Sequence, residues 1–215
     1  MAISGGSVAD VSIQHRRSQE ERSAETRTRL LDATVACLLE LGYHATTTNA
    51  IQQRAGVSRG ALMYHYASKA ELLVAAVRHL ARQRGANLRE QAKRLPEGDD
   101  RTGQAIDLLW EIFTGPLFTA NLELWSAART DEELRSAIVD SERGLRADMH
   151  AVMVELFGRA QADQVSFADA IELTLQFMRG AALTAIVRAD TAKQIRIVDM
   201  WKPVFAHLVE GGVHA

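Results

Sequence analysis

The chain has 215 residues, 47% of them hydrophobic and 24% charged, which is enough for one large or two small domains with a real core. No run approaches the roughly 18 apolar residues that a membrane span needs, and a single cysteine, Cys37, excludes an internal disulfide and fits a reducing cytoplasm. The formal net charge of −2 is not that of a strongly basic nucleic-acid binder: eight Lys or Arg face seven Asp or Glu through residue 75, and 17 face 20 beyond it.

The first 17 residues lack the basic start and continuous apolar stretch of a secretion signal; residues 1–19 read as a flexible arm. From about Glu20 to Leu41, the residues Leu30, Leu31, Val35, Leu38 and Leu41 recur at helical spacing, and Gly42 stops the helix. Cys37 falls on that stripe as a small buried hydrophobe. A second helix starts in the threonine run, with Thr46 or Thr47 as its cap. Gly56 stands where this helix ends, at a position that favours a left-handed backbone, and Ser58 caps the third helix. Ile51, Ala55, Val57 and Leu62 are spaced to pack the two short helices across the turn. Arg59, Gly60, Met63, Tyr64 and His65 are then left to face outward or towards a neighbour. This is a helix-turn-helix of the kind whose second helix enters the major groove, although a helical hairpin in any bundle can imitate it.

Ser68 and Glu71 form a capping box that opens a long fourth helix through Leu72, Leu73, Val77 and Leu80 to about Lys93. Leu95-Pro96-Glu97-Gly98 breaks the chain. A fifth helix spans Thr102 to Phe113, a sixth follows Gly115-Pro116, and Thr130 or Asp131 caps a seventh. Gly158 to Gln164 reads as a linker and Ser166 opens an eighth helix. A ninth, over 191–210, is interrupted or kinked by Pro203, which lacks a backbone donor. No stretch alternates as a strand does. The predicted fold is all-α with about nine helices: an N-terminal three-helix helix-turn-helix DNA-binding domain over 20–68, and a C-terminal helical domain over 69–215.

Leu41-Gly42-Tyr43-His44-Ala45-Thr46-Thr47-Thr48, Ile51, Arg54 to Gly60, Leu62, His65-Tyr66 and Ser68 to Leu73 together resemble, in order and spacing, the N-terminal domain of TetR-type (tetracycline-repressor-like) transcriptional regulators. The resemblance covers residues 25–75 and implies an all-helical homodimer that binds operator DNA and releases it when a small molecule enters the C-terminal domain, which makes 69–215 the expected ligand-binding and dimerisation domain. Carried across position by position, it selects Thr47, Arg59, Gly60, Ala61, Met63, His65 and Lys69 for DNA binding, to which the neighbouring Tyr64 is added. Arg59 can reach a guanine O6/N7 edge or a phosphate. The small Gly60 and Ala61 let the backbone approach the bases, Ala61 against a thymine methyl, while Thr47 and Lys69 meet phosphates. The family usually has a tyrosine where this chain has Met63, and methionine cannot make that hydroxyl's phosphate contact. Tyr64 lies about 100° round the helix from it. His65 either meets a phosphate or packs on the first helix, and Tyr66 belongs to the core. With so small a charge asymmetry, local placement must carry the electrostatics, and Arg16, Arg17, Arg22, Arg27, Arg29 and Arg54 are further phosphate candidates.

Trp110, Phe113, Phe118, Trp125, Met149, Met153, Phe157, Phe177 and Met178 supply enough adaptable apolar surface either to line a ligand cavity or to make an ordinary core. The resemblance favours a cavity for a small, largely apolar inducer, with Asn121, Glu123, Arg129, His150, Thr174 and Gln176 as polar candidates. Gly180-Ala181-Ala182 and Ala185, with Trp201, Val204, Phe205 and Leu208, are expected to form half of an intersubunit four-helix bundle, or else to pack within the chain. No nucleophile–base pair or metal-ligand spacing is visible, so no catalytic residue, metal or cofactor is expected. The sequence thus reads as a cytoplasmic homodimeric regulator, a repressor whose partners are double-stranded operator DNA, a small-molecule inducer and a second copy, with no membrane involved. The competing reading, motivated by Met63 and the weak positive charge, is a ligand- or partner-binding helical protein with a degenerate DNA-reading head.

Overall fold

The structure, a computed structural model, describes residues 8–188 and 190–211, with the side chains of all of these except 8–18, 99 and 142–147. The described residues form ten helices and no strand: α1 (Val8–Ala45), α2 (Thr48–Ala55), α3 (Arg59–His65), α4 (Lys69–Ala92), α5 (Asp99–Phe113), α6 (Pro116–Ala128), α7 (Glu132–Phe157), α8 (Arg159–Ala162), α9 (Phe167–Val187) and α10 (Thr191–Gly211). The chain divides into two compact units, Met1–Ala76 and Val77–Ala215, and α4 runs through the boundary.

Three details differ from the sequence reading. Residues 8–19 belong to α1 rather than to an arm, and 1–7 lie outside the described residues. The one-turn helix α8 occupies the expected linker. Pro203 sits inside an unbroken α10, because one lost backbone donor is tolerated where the flanking turns are packed.

In the first unit, Gly42 (φ 72°, ψ 175°) takes the chain out of the helical path, and the turn closes when Thr46 bonds to the Gly42 carbonyl through both N–H (3.2 Å) and hydroxyl (2.7 Å). Leu30, Cys37, Ile51, Leu62, Tyr66 and Leu72 then meet in one core, each less than a tenth exposed. Burying each of the large apolar side chains contributes about 1.5–3 kcal/mol.

In the second unit, α5, α7, α9 and α10 surround a core in which the Phe157 ring packs on Phe167 (5.8 Å between centroids) and Phe205 (4.8 Å). Ser166 stands at the start of α9 as expected, and its hydroxyl, instead of accepting a bond from the first turn, donates to the Val209 carbonyl at 2.8 Å and ties the start of α9 to the end of α10. The Arg101 guanidinium gathers five carbonyls: Glu155 and Leu156 at the end of α7 (2.7 and 3.0 Å), and Ala92, Leu95 and Pro96 at and after the end of α4 (3.3–3.5 Å). Helix C-termini leave such acceptors without intrahelical partners, and a planar fork of five donors suits them.

By length and composition α9 is apolar enough to cross a membrane, which corrects the expectation that no run comes near that length. Asp169, Glu172 and Arg179 stand among its apolar residues, and Gln176 joins the last two through hydrogen bonds of 2.7 and 2.6 Å.

Candidate nucleic-acid interface

Local chemistry builds the turn between α2 and α3. The Thr47 hydroxyl accepts the Ala50 N–H (3.1 Å) and caps α2. Gly56 adopts φ 63°, ψ 38°, its N–H and that of Val57 closing onto Gln53 and Gln52. Only glycine enters that left-handed region without a Cβ penalty. Ser58 then caps α3 by accepting the Ala61 N–H at 3.2 Å. One turn later Ser68 accepts the Glu71 N–H (3.1 Å), while the Glu71 carboxylate takes the Ala67 N–H (2.8 Å), which starts α4.

With Leu62 pinned in the core, α3 turns Arg59, Gly60, Met63 and Tyr64 to solvent. Met63 is half exposed, and Tyr64, at 81%, is among the most exposed large side chains described. Arg59 has no hydrogen-bond partner among the described residues. Thr47 is exposed at the start of α2, and Ala61 and His65 are half-buried. The His65 ring lies edge-on to Tyr64 (5.2 Å) and tilted to Tyr66 (6.4 Å). Burial and the positive charge of Arg27 hold its pKa below the usual imidazole value, so it is neutral near pH 7. Arg27 beside this helix gave no local sequence signal beyond its charge; its proximity to His65 depends on how α1 packs.

Two of the expected phosphate contacts are engaged inside the protein. Lys69 donates to the Tyr43 carbonyl at 3.0 Å with its ammonium 4.3 Å from the Tyr43 ring centroid. Arg54 forms a two-pronged pair with Glu40, both contacts at 2.5 Å. The side chains of Arg16 and Arg17 lie outside the described residues, whereas Arg22, Arg27 and Arg29 are exposed along α1.

The apolar residues expected to line a ligand cavity are mostly interlocked. Met153, Met178 and Phe118 are buried, with Phe118 5.7 Å from Phe113, and Trp110 packs on the same core. Phe177 stacks on Trp201 at 4.3 Å and 9°, and Trp201 donates to the buried Thr174 hydroxyl at 3.0 Å. Trp125 carries Arg179 over its ring at 5.0 Å, and Met149 points to solvent. Of the other polar candidates, Asn121 bonds back to the Leu117 carbonyl, and Arg129, His150 and Gln176 are exposed. A cleft of about 270 Å³ opens elsewhere, between α4, α5 and the start of α6.

On the expected dimer face, Phe205 is fully buried in the chain's own core and Trp201 is half-buried against it. What α9 and α10 leave exposed are Leu173, Leu183, Ile186, Val187, Ile195, Met200 and Val204. Only 28% of the most apolar part of α9 is buried.

A three-helix head with a capped, outward-facing reading helix after a left-handed glycine turn, followed by a larger helical unit, is the architecture of a helix-turn-helix DNA-binding protein. Residues 30–76 match the family described as bacterial regulatory proteins, tetR family. Over 185 residues the chain is 31% identical to the HTH-type transcriptional regulator CymR of Pseudomonas putida, which covers 85% of this chain and 90% of that one. A TetR transcription regulator from Haloarcula marismortui shares the fold with a TM-score of 0.60 at 22% identity, over 85% of this chain and 97% of the other. FadR from Bacillus subtilis, in complex with stearoyl-CoA, does so with a TM-score of 0.57 at 18% identity, over 87% and 99%. The chain belongs to the tetR family of bacterial regulatory proteins and is a DNA-binding transcriptional regulator. Its relatives are named as regulators rather than as enzymes.

Proposed function

We propose that the protein is a cytoplasmic homodimeric repressor that grips a palindromic operator and lets go when a small molecule enters its second unit. The observation that carries this reading is the display of Arg59, Gly60, Met63 and Tyr64 on one side of α3, held by a core that buries Leu62 behind them. Arg59 reads a base edge. Tyr64 supplies the phenolic hydroxyl that Met63 cannot. Thr47 and His65 contact the backbone phosphates, and Ala61 lies against a base. One such head makes few contacts. Two heads about 34–36 Å apart would fall in successive major grooves.

The number of large apolar residues that α9 and α10 leave exposed supports a second copy of the chain as their cover. The Glu172–Gln176–Arg179 ladder along α9 suits a protein neighbour better than lipid, where each such group would need a partner. The complex of FadR with stearoyl-CoA supports a small molecule as effector for this fold. Ligand and operator are coupled if each binds a different state of the dimer preferentially.

The test is selection of bound fragments from random or genomic DNA at about 0.15 M salt, because affinity without a stated salt has no meaning here. Recovery of a short inverted repeat supports the reading, and Arg59→Ala should weaken binding to it by about 1–3 kcal/mol. The competing reading, a helical binding protein with a degenerate head, draws on Met63 and on the internal engagement of Arg54 and Lys69. It prevails if ligand-stripped protein recovers no sequence and Arg59→Ala changes nothing.

A further inference from the structure

The positive charge of the second unit is concentrated on α4 and the turn that follows it. Between residues 77 and 95, six Lys or Arg stand against a single acid, Glu90, whereas the rest of that unit carries eleven against nineteen. Within this stretch, Arg84, Asn87 and Gln91 follow one another at i, i+3 and i+7 along α4, and Arg94 continues the row in the turn just after the helix. That row forms one wall of the cleft of about 270 Å³. The facing wall is apolar, with Leu108 and Ile112 from α5 and Leu117 from the first turn of α6.

Neither guanidinium has a hydrogen-bond or ion-pair partner among the described residues. Of the two acids on the rim, Glu90 is bonded to Lys93 at 2.6 Å and also feels the charge of Arg94, and Glu111 is the second opposing charge. Counting Lys93 beside Glu90, three positive side chains stand against two acids around this cleft, and its two guanidinium groups are outside any hydrogen bond, so it has room for one anion. Guanidinium forks bind carboxylates and phosphates in two-pronged fashion, and more strongly where an apolar wall limits water.

We propose that this cleft binds a small organic anion, its carboxylate or phosphate held by Arg84 and Arg94 with help from Asn87 and Gln91, and its short apolar body laid on Leu108, Ile112 and Leu117. The proposal rests on the ligand-responsive reading above and gives that ligand a chemical class and a place, distinct from the interlocked aromatic core. The volume suits a molecule of modest size, near the lower end of small-molecule sites.

The test uses the full chain and three probes of equal length, octanoate, 1-octanol and octylammonium, titrated by calorimetry. Octanoate should bind, octanol at least tenfold more weakly, and octylammonium not measurably. The double substitution Arg84→Gln with Arg94→Gln should weaken octanoate at least tenfold with an unchanged helical circular-dichroism spectrum. Glu111→Gln, which removes one opposing charge, should strengthen it. Octylammonium binding as well as octanoate, an octanoate affinity indifferent to the double substitution, or no binding of any probe would each overturn the proposal. Operator selection with the same preparation separates the two readings. Protein that binds DNA but no anion loses only the cleft, and protein that binds octanoate through Arg84 and Arg94 but no DNA loses only the repressor.

Discussion

The ammonium of Lys69 donates to the carbonyl oxygen of Tyr43 at 3.0 Å and lies 4.3 Å from the centroid of that tyrosine's ring. The first residue of α4 is thereby tied to the turn that follows Gly42, and the lysine braces the head. Lys69→Met should lower the stability of the head by about 1–2 kcal/mol, the scale of a charged hydrogen bond with a cation–π contact at a half-exposed site. The salt dependence of operator binding should stay as it is. A lost phosphate contact would reduce that slope by about 0.9, and such a reduction would return Lys69 to the DNA-contacting set.

Gly56 is held at φ 63° with nothing within 4 Å of where a Cβ would stand. The cost of a side chain there is therefore backbone strain alone, with no clash added. Gly56→Ala should destabilise the head by about 1–2 kcal/mol. Gly56→Asn should cost less, because asparagine tolerates this region. The three tyrosines lie at 43, 64 and 66 and the three tryptophans at 110, 125 and 201, so tyrosine fluorescence follows the head and tryptophan fluorescence the second unit.

The head was legible from sequence because its signals are local. Gly56, Ser58 and Thr47 act on backbone groups within three residues of themselves, so their spacing alone fixes the turn. The second unit was legible only as helices, since helical spacing does not say which neighbour a side chain meets. Phe205 could equally have faced a partner, and it is buried in its own core; Met149 could have lined a cavity, and it faces solvent. The five carbonyls around Arg101 come from two stretches of chain about 60 residues apart, more than any helical window of sequence brings together. The row from Arg84 to Arg94 did have a signal, a polar residue at every third or fourth position of a basic helix and its end, but such a row is equally what any solvated helix face shows.

His65 is half-buried, and burial together with Arg27 lowers its pKa. The folded head therefore binds this proton less readily than the unfolded chain. Between the lowered value and the unfolded one of about 6.5, the unfolded state carries more protons, so stability is complete above that window and is lost as pH falls through it. His65→Gln should flatten this part of the profile relative to the wild type in denaturant titrations between about pH 7.5 and pH 5.5. Parallel profiles for the two proteins would mean that His65 does not carry the effect.

Arg101 holds the end of α7 to the segment that leaves α4. Arg101→Ala should lower the stability of the second unit by about 2–3 kcal/mol, less than five separate bonds would suggest, because water can reach part of the site. Arg101→Lys should recover only a fraction, since a single ammonium cannot span five carbonyls from a planar fork. Urea unfolding followed by tryptophan fluorescence reads this directly, and equal stability of the alanine and wild-type proteins would show that water replaces the guanidinium at no cost.

Leu183 and Val187 lie four residues apart on the exposed side of α9, at 50% and 83% exposure. They make few contacts within their own chain, so charging them should leave the fold of a single copy intact while placing carboxylates in any surface that covers them. Leu183→Glu with Val187→Glu is expected to convert a dimer to a monomer by sedimentation equilibrium, with the circular-dichroism spectrum preserved. Operator affinity should then fall far more than any loss in head stability explains, because the second head no longer binds as an intramolecular event. If the variant sediments as the wild type does, the copies meet through another surface; if it is monomeric yet holds the operator undiminished, one head suffices and the palindrome is not required.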